Sequence, residues 1–360
     1  MIRVGLVGFG LAGRVFHAPV ISAVEGLELA AVVERSSREA EKAYPAIATY
    51  TSLEAMLADT SIELIVVATP NTSHAALAQQ ALEAGRHVVV DKPTAITSPE
   101  IAALIQLSKD SSRFLIPFHN RRWDSDFQTL QKLLHEQILG RVVSFESTFD
   151  RWRQLPRTGI WRESGGLGSG MLLDLGTHLA DQALQLFGLP EAVSAEVRCE
   201  REGAVSNDAF TVRLYYPGLV ATLGATCLAS LPRPRYTVRG TVGNFVKHGL
   251  DPQEPRLKEN PHIPAEGFGV EPESVWGTLA VAANGAPAVQ PVPSIPGDYR
   301  LYYADVRDAI LGKAAPPVQA IDAWRTARVL EWAEESSKER RTIICDWANG
   351  LDEPAPDQTR

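Results

Sequence analysis

The chain has 360 residues, 45% hydrophobic and 22% charged; this balance excludes wholesale disorder, and at roughly 150 residues per domain the length suggests about two domains. Thirty-five Lys and Arg against 43 Asp and Glu leave a net charge of −8, the wrong sign for a general nucleic-acid or anionic-membrane binder. The three cysteines Cys199, Cys227 and Cys345 are widely spaced, so neither a disulfide framework nor a metal site is expected. No apolar run approaches the ~18 residues of a membrane span, and the glycine-interrupted start does not resemble a secretory leader. A cytoplasmic protein without nucleic-acid or membrane partners is expected.

In chain order, Ile2–Val7, Leu27–Glu34, Glu63–Thr69, His87–Asp91 and Phe114–His119 are near-continuous apolar runs, as strands buried on both faces require. Helical patterns lie between them at Gly13–Val24, Ser52–Ala58, Ser73–Ala84 and Ser98–Lys109. Alternating strands and helices predict a right-handed parallel α/β domain over 1–120. Past residue 120 the texture changes. A helix over Asp124–Ile138 leads into alternating segments, Arg141–Asp150, Ala192–Arg201, Asp208–Tyr216, Leu219–Cys227 and Tyr236–His248, which read as an antiparallel sheet with one wet face. Helices are predicted over Thr177–Leu186, Tyr299–Leu311 and Ala320–Lys338, and Asp251–Pro296, rich in Pro and Gly, reads as an irregular excursion. A second α/β domain over 121–345 and a polar tail over 346–360, loose over Asp352–Arg360, complete the expectation.

Gly8-Phe9-Gly10-Leu11-Ala12-Gly13 is a GxGxxG run directly after a strand and before a helix. The first glycine permits a tight turn, the second lets backbone approach a pyrophosphate, and the third packs helix on strand, while the helix N-terminus offers free N–H groups. Glu34 ends the second strand, where a carboxylate binds the adenosine ribose hydroxyls and repels a 2′-phosphate. Arg35-Ser36-Ser37-Arg38 follows, a composition that holds such a phosphate; Arg35 is otherwise a cation over the adenine face. The cofactor is therefore NAD or NADP, with Glu34 favouring NAD. Thr69 and Asn71 close the next strand at the ligand-binding edge, as cofactor contacts or as helix caps. Lys92 stands at that edge after three valines.

A second constellation runs from Gly165 through Gly170 to Asp174, His178 and Asp181. If helical, Asp174 and His178 share a face, and an imidazole beside a carboxylate is how proteins orient a general base. The opening glycines, Lys92-Pro93 and this run resemble the glucose-fructose oxidoreductase/inositol dehydrogenase (Gfo/Idh/MocA) family from Met1 to about Thr342. His119-Asn120-Arg121-Arg122-Trp123-Asp124 and Asp174–His178 further resemble its NADP-dependent scyllo-inositol dehydrogenase-like branch. The resemblance implies a Rossmann domain, then an α/β domain with a large, mostly antiparallel sheet whose open face makes a homodimer or higher oligomer. It also implies that Lys92, Asp174 and His178 are the catalytic set. Two positions depart from the pattern: Asp91 replaces the usual Glu before the lysine, and Glu34-Arg35-Ser36 stands where the NADP branch carries small hydroxyl and basic residues.

Oxidising a secondary alcohol needs hydride departure and removal of the hydroxyl proton. His178 is the better base, near ~6.5 unperturbed against ~10.4 for lysine, with Lys92 stabilising the developing alkoxide and Asp174 orienting the imidazole or binding an adjacent hydroxyl; the reverse assignment has Lys92 as base. Asn120, Arg122 and Trp123, then Arg151, Arg153, Arg157, Trp161 and Arg162, supply rings for sugar C–H faces and guanidiniums for hydroxyls or carboxylates. The alternative for the arginines is pairing with Glu163 or Asp150; Tyr236 is a weaker candidate. The sequence thus reads as a nicotinamide-dependent dehydrogenase of a small polyol or sugar, or else as a dinucleotide- or sugar-responsive binding protein on the same scaffold.

Overall fold

The computed structural model describes residues 1–348 except 37, 265, 284 and 285; the expected tail lies outside the described residues from Asn349 onward, and before that it is not a free tail, because Trp347 packs edge to face on Trp332 and donates to the Pro190 carbonyl at 2.9 Å. Six strands, β1 (Ile2–Val7), β2 (Leu27–Val33), β3 (Ala48–Tyr50), β4 (Leu64–Val67), β5 (His87–Val90) and β6 (Leu115–Pro117), form one sheet in the order β3-β2-β1-β4-β5-β6. Every pairing in it is parallel. Helices α1 (Ala18–Ser22), α2 (Glu39–Ala43), α3 (Leu53–Leu57), α4 (His74–Glu83) and α5 (Ser98–Asp110) alternate with the strands. Two-sided burial explains the unbroken apolar runs: along β4, Leu64 and Val66 pack into one core while Ile65 and Val67 pack into another. Helix α5 starts where Thr97 and Glu100 cap each other's backbone N–H groups.

The second sheet has nine strands: β7 (Val142–Thr148), β8 (Ala192–Arg198), β9 (Ala209–Tyr216), β10 (Leu219–Thr226), β11 (Tyr236–Gly240), β12 (Gly243–Lys247), β13 (Gly277–Ala283), β14 (Ala286–Val292) and β15 (Ile343–Ile344). Their order is β14-β13-β12-β11-β7-β10-β9-β8-β15, with only β7–β10 parallel. Helices α6 (Ser125–His135), α7 (Thr177–Phe187), α8 (Gln253–Glu259), α9 (Tyr299–Ile310) and α10 (Ala320–Glu339) complete the chain. Side chains alternate along β10: Ala221 and Leu223 join the core that α6, α7 and α10 cover, whereas Val220 is 37% exposed on the open face. Among the described residues no helix is long and apolar enough to cross a membrane.

Three expectations need correction. Tyr236–His248 is two strands joined by a turn at Thr241 and Val242, not one. The stretch Asp251–Pro296 holds α8 and the β13–β14 hairpin; Ala, Gly and Pro make up much of its strands, and β14 is exposed along nearly its whole length, so it carries little apolar alternation. Pro287 and Pro291 fit there because an edge strand does not need every N–H. The division near residue 120 separates the sheets but not the cores. Tyr299, Tyr302, Tyr303 and Val306 of α9 pack with Val4, Leu6 and Phe118, and Trp324 of α10 packs with Ile101 and Leu104. Helix α9 therefore packs on the first sheet, and α10 serves both, since its Val329, Leu330 and Trp332 lie in the core of the second.

His87 at the start of β5 accepts a hydrogen bond from the Phe114 N–H at 3.1 Å through Nδ1. Burial, with Arg113 nearby, pulls its pKa down to about 4. The unfolded chain takes up this proton near ~6.5 and the folded chain only near 4, so stability declines as pH falls through that window. Buried His119 and His178 shift in the same direction. Denaturation between pH 7 and pH 4 should show this decline, and His87→Asn, which keeps the acceptor, should make the slope shallower; an unchanged slope would exclude His87 as a source.

Candidate active site

The dinucleotide motif folds as a turn from β1 over the crossing between β1 and β4, the switch point where open α/β sheets bind ligands. Gly8 has φ +100°, and a Cβ there would lie 2.7 Å from the Ala68 carbonyl oxygen. A Cβ on Gly13 would lie 2.1 Å from the Gly8 carbonyl oxygen. At Gly10 a Cβ would meet nothing within 4 Å, so that position leaves an open cradle, with Leu11 half exposed beside it and Ala12 leading into the turn. The segment expected as one helix over Gly13–Val24 begins as a wide π turn, Gly13–His17, and only then becomes α1. His17 drops from this turn into the core, its Nδ1 2.6 Å from the Tyr303 hydroxyl.

Along the same edge, Glu34 accepts a hydrogen bond from the Ala40 N–H at 2.8 Å, which fixes its carboxylate against the start of α2. Arg35 is exposed next to it. The Thr69 hydroxyl pairs with that of Ser73 at 2.7 Å. Asn71 reaches across to the second domain and donates to the Gly168 carbonyl at 3.0 Å, a latch for the glycine-rich run. His74, unremarked in the sequence, bridges the carbonyls of Pro93 and Thr69 at 2.7 and 2.8 Å and so ties the two edge loops together. Asp91 turns back to accept the Lys92 N–H at 2.7 Å, with His17 Nε2 3.8 Å from its other oxygen. Burial would raise the Asp91 pKa, but the His17 contact and the neighbouring cations hold it below the usual range.

Lys92 Nζ donates to the Asp174 carbonyl oxygen at 2.7 Å and to its carboxylate at 2.9 Å. Asp174 lies in a second π turn, Leu172–Gly176, that opens α7. Burial alone would raise its pKa; Lys92, then Arg151 at 3.7 Å and Arg162 at 3.4 Å, hold it far below the carboxylate range instead. His178 sits one turn on, 5% exposed, with no hydrogen-bond partner for its ring among the described residues and Nδ1 fully enclosed. Burial first, then Lys92, Arg121, His119 and Arg235, push its pKa well below the usual value, so the ring is neutral at neutral pH.

The expected Asp174–His178 pair is thus not formed: the carboxylate binds Lys92, because the π turn widens the spacing that an α-helix would have given. Nor does Asp181 extend the site, since it takes Arg122 at 2.9 Å. Arg122 also reaches Asp322 on α10 at 3.0 Å, so its donors join the domains and it does not face the cleft. Asn120 is buried in the short turn with it. Trp123 packs its ring edge to face with Tyr302, centroids 5.3 Å apart. Tyr236, fully buried, hydrogen-bonds Gln182 at 3.0 Å. The arginine segment divides: Arg157 pairs with Glu163 at 2.7 Å, and Asp150 is taken by Arg233. Arg151, Arg153 and Arg162 remain around Asp174 and the cleft behind it, with Arg162 stacked 4.4 Å over Trp161. Among the described residues no cluster could hold a metal ion.

Residues 2–119 match the model of an oxidoreductase family with an NAD-binding Rossmann fold, and residues 127–246 match the GFO/IDH/MocA C-terminal domain. The chain is 43% identical to the uncharacterized oxidoreductase YdgJ of Escherichia coli over 95% of its own length and 98% of that protein's. It is 34% identical to the scyllo-inositol 2-dehydrogenase (NADP(+)) IolW of Bacillus subtilis over 96% of each. Among solved structures, yvaA of Bacillus subtilis superposes with a TM-score of 0.93 at 34% identity, over 96% of this chain and 98% of that one. YPO2259 of Yersinia pestis superposes with 0.91 at 43% identity, over 96% and 97%. A parallel sheet carrying the glycine turn, a turn at the head of α7 beneath the large mixed sheet supplying the carboxylate for Lys92, and relatives matched along nearly their full length place this chain in the GFO/IDH/MocA family of NAD(P)-dependent oxidoreductases.

Proposed function

We propose that the protein moves hydride between nicotinamide and a secondary alcohol of a cyclic polyol or sugar. The observation that carries this reading is the Lys92–Asp174 contact, one residue from each domain, at the end of the dinucleotide edge and beside the unpartnered His178 ring. The open cradle at Gly10 suits a pyrophosphate approaching backbone N–H groups. Gly8, Leu11, Ala12 and Gly13 shape that turn, Glu34 and Arg35 flank the adenosine end, and Thr69, Asn71 and Lys92 flank the nicotinamide end. When bound, the nicotinamide supplies the hydride acceptor. The remaining work is the chain's. Asp174 holds the Lys92 ammonium toward the reacting oxygen, where it stabilises negative charge as the O–H bond breaks. The neutral His178 takes the hydroxyl proton, so that the alcohol loses hydride and proton together and becomes a ketone.

NAD is the preferred cofactor in this reading, although the relative IolW is named for NADP: the Glu34 carboxylate, fixed by Ala40, stands where a 2′-phosphate would sit. The open face of the nine-stranded sheet, with Val143 and Val220 each 37% exposed, is the surface for a second copy. The three free thiols suit a reducing cytoplasm.

Absorbance at the reduced-nicotinamide band, during incubation with inositol isomers and aldoses plus NAD or NADP, tests the activity. Lys92→Ala and His178→Ala should each lose at least ~100-fold in kcat, a typical general acid–base contribution, and near-full activity in either removes that residue from the mechanism. Because His178 is held neutral, the acidic limb of the wild-type rate profile should lie below pH ~6.5. Glu34→Ala should narrow the preference for NAD over NADP about tenfold, as one lost charge contact implies. Gly10→Ala should leave Tm unchanged but weaken cofactor binding, whereas Gly13→Ala should lower Tm as well, because its methyl strikes the Gly8 carbonyl. Equal effects of the two on Tm would contradict the cradle.

A further inference from the structure

Five cations gather behind Lys92, on a chain of net charge −8: Arg151, Arg153, Arg157, Arg162 and Arg201. Three carboxylates stand among them. Arg157 and Arg201 share Glu163, and Arg201 also takes Asp208. The third, Asp174, receives its hydrogen bond from Lys92. Arg151 and Arg162 lie within ion-pair distance of Asp174, at 3.7 and 3.4 Å, but neither guanidinium makes a hydrogen bond among the described residues. Arg153 makes neither a side-chain hydrogen bond nor an ion pair there. Partial burial first, then its neighbours Arg151 and Arg157, lower its pKa, against smaller opposing pulls from Cys227 and Glu163. Each guanidinium carries five N–H donors and no acceptor, and all three line one cleft whose carboxylates are already engaged: Glu163 by Arg157 and Arg201, Asp208 by Arg201, and Asp174 by Lys92.

The cleft that these side chains line with Asp174 has a volume of about 30 Å³. That is room for two or so water-sized groups, too little for a sugar ring and enough for the oxygens of a terminal oxyanion. A hydroxyl both donates and accepts and leaves the positive charge in place; a carboxylate or phosphate accepts two N–H bonds from one guanidinium and neutralises it. Arg162 is additionally held flat by the Trp161 ring, 4.4 Å away, which fixes its donors in advance of a ligand.

We propose that the sugar oxidised here carries an oxyanion group, a carboxylate or a phosphate, seated between Arg151, Arg153 and Arg162 while its reacting alcohol meets Lys92 and His178. The inference rests on the dehydrogenase reading and names its substrate class. The redox step is unchanged by it: the alcohol carbon gives up hydride, the oxygen gives up its proton, and the anion takes no part in bond breaking.

Calorimetric titration of the full chain, loaded with reduced nicotinamide cofactor, tests this with matched ligands: glucose, glucuronate and glucose 6-phosphate, and myo-inositol with its 1-phosphate. At least one anion should bind about 30-fold more tightly than its neutral parent, in line with one charge-assisted bidentate contact. Which arm responds distinguishes carboxylate from phosphate. In Arg153→Gln the ratio of anion to neutral affinity should fall towards one, and Arg153→Lys should restore part of it. Should Arg153→Gln fail to fold, the wild type serves: raising salt from about 0.01 to about 1 M should erase the anion's advantage and spare the neutral ligand. Neutral parents binding as well as every anion, or a preference untouched by Arg153→Gln and by salt, would overturn the proposal. Lys92-dependent oxidation of neutral polyols alone would leave the dehydrogenase intact and remove the anion site; Arg153-dependent anion binding with no sugar oxidised would do the reverse.

Discussion

The Lys92–Asp174 contact sets the constraint that the rest of the molecule serves. An ammonium from the edge of one sheet and a carboxylate from the helix beneath another meet at 2.9 Å, with both side chains largely buried. Such a pair is favourable only with its geometry held, and removing one partner leaves an uncompensated charge at a cost of about 3–5 kcal/mol. The chain holds that geometry from both sides. Asp91 fixes the backbone of Lys92, His74 fixes the carbonyl of Pro93, and Asn71 fixes the glycine run that precedes Asp174. None of these three touches the contact itself through a side chain, and of the three only the Asn71–Gly168 bond crosses from one domain to the other.

Behind this front the domains are joined by buried charge. Arg122 links the end of the first domain to Asp181 on α7 and Asp322 on α10. Within the second domain, Arg235 gathers Asp126, Ser147 and Gln182, and Lys247 meets Glu271 at 3.2 Å. Well-packed apolar residues would often stabilise as much as such pairs do; what ions add is direction, since a misplaced carboxylate leaves an arginine unsatisfied. Phe118, at the end of β6, rests on Tyr302 and Tyr303, which come from α9, more than 170 residues further along the chain. The nucleotide-binding half is therefore incomplete until the end of the chain has returned to it.

This explains what the sequence disclosed and what it withheld. Strands β1, β4 and β5 were legible because burial on both faces leaves an uninterrupted apolar signature, and the glycine turn because a dinucleotide needs glycines at fixed offsets after a strand. Lys92, Asp174 and His178 stand out in the sequence, but the contact of Lys92 with Asp174 does not. It depends on a π turn, and one extra residue per turn leaves no mark in composition while redirecting Asp174 from His178 to Lys92. Arg122 read as a ligand for substrate because an arginine beside a tryptophan looks the same whether it faces a cleft or Asp181. The hairpin of β13 and β14 escaped notice for the opposite reason: strands that bury little have little pattern to show. His74 and His17 carried no local signal, since their partners are backbone carbonyls and side chains distant in sequence.

The two prolines of β14 have one more effect. Pro287 and Pro291 are four residues apart, so the N–H groups they lack belong to the same lateral side of the strand. At the other end of the sheet, β15 offers only two residues. Neither border can template a continuous ladder with a foreign strand, and the sheet cannot lengthen by accretion. Copies of this molecule that meet through it must do so broadside, face against face, a geometry that closes on itself after a fixed number of subunits and does not propagate into a fibre.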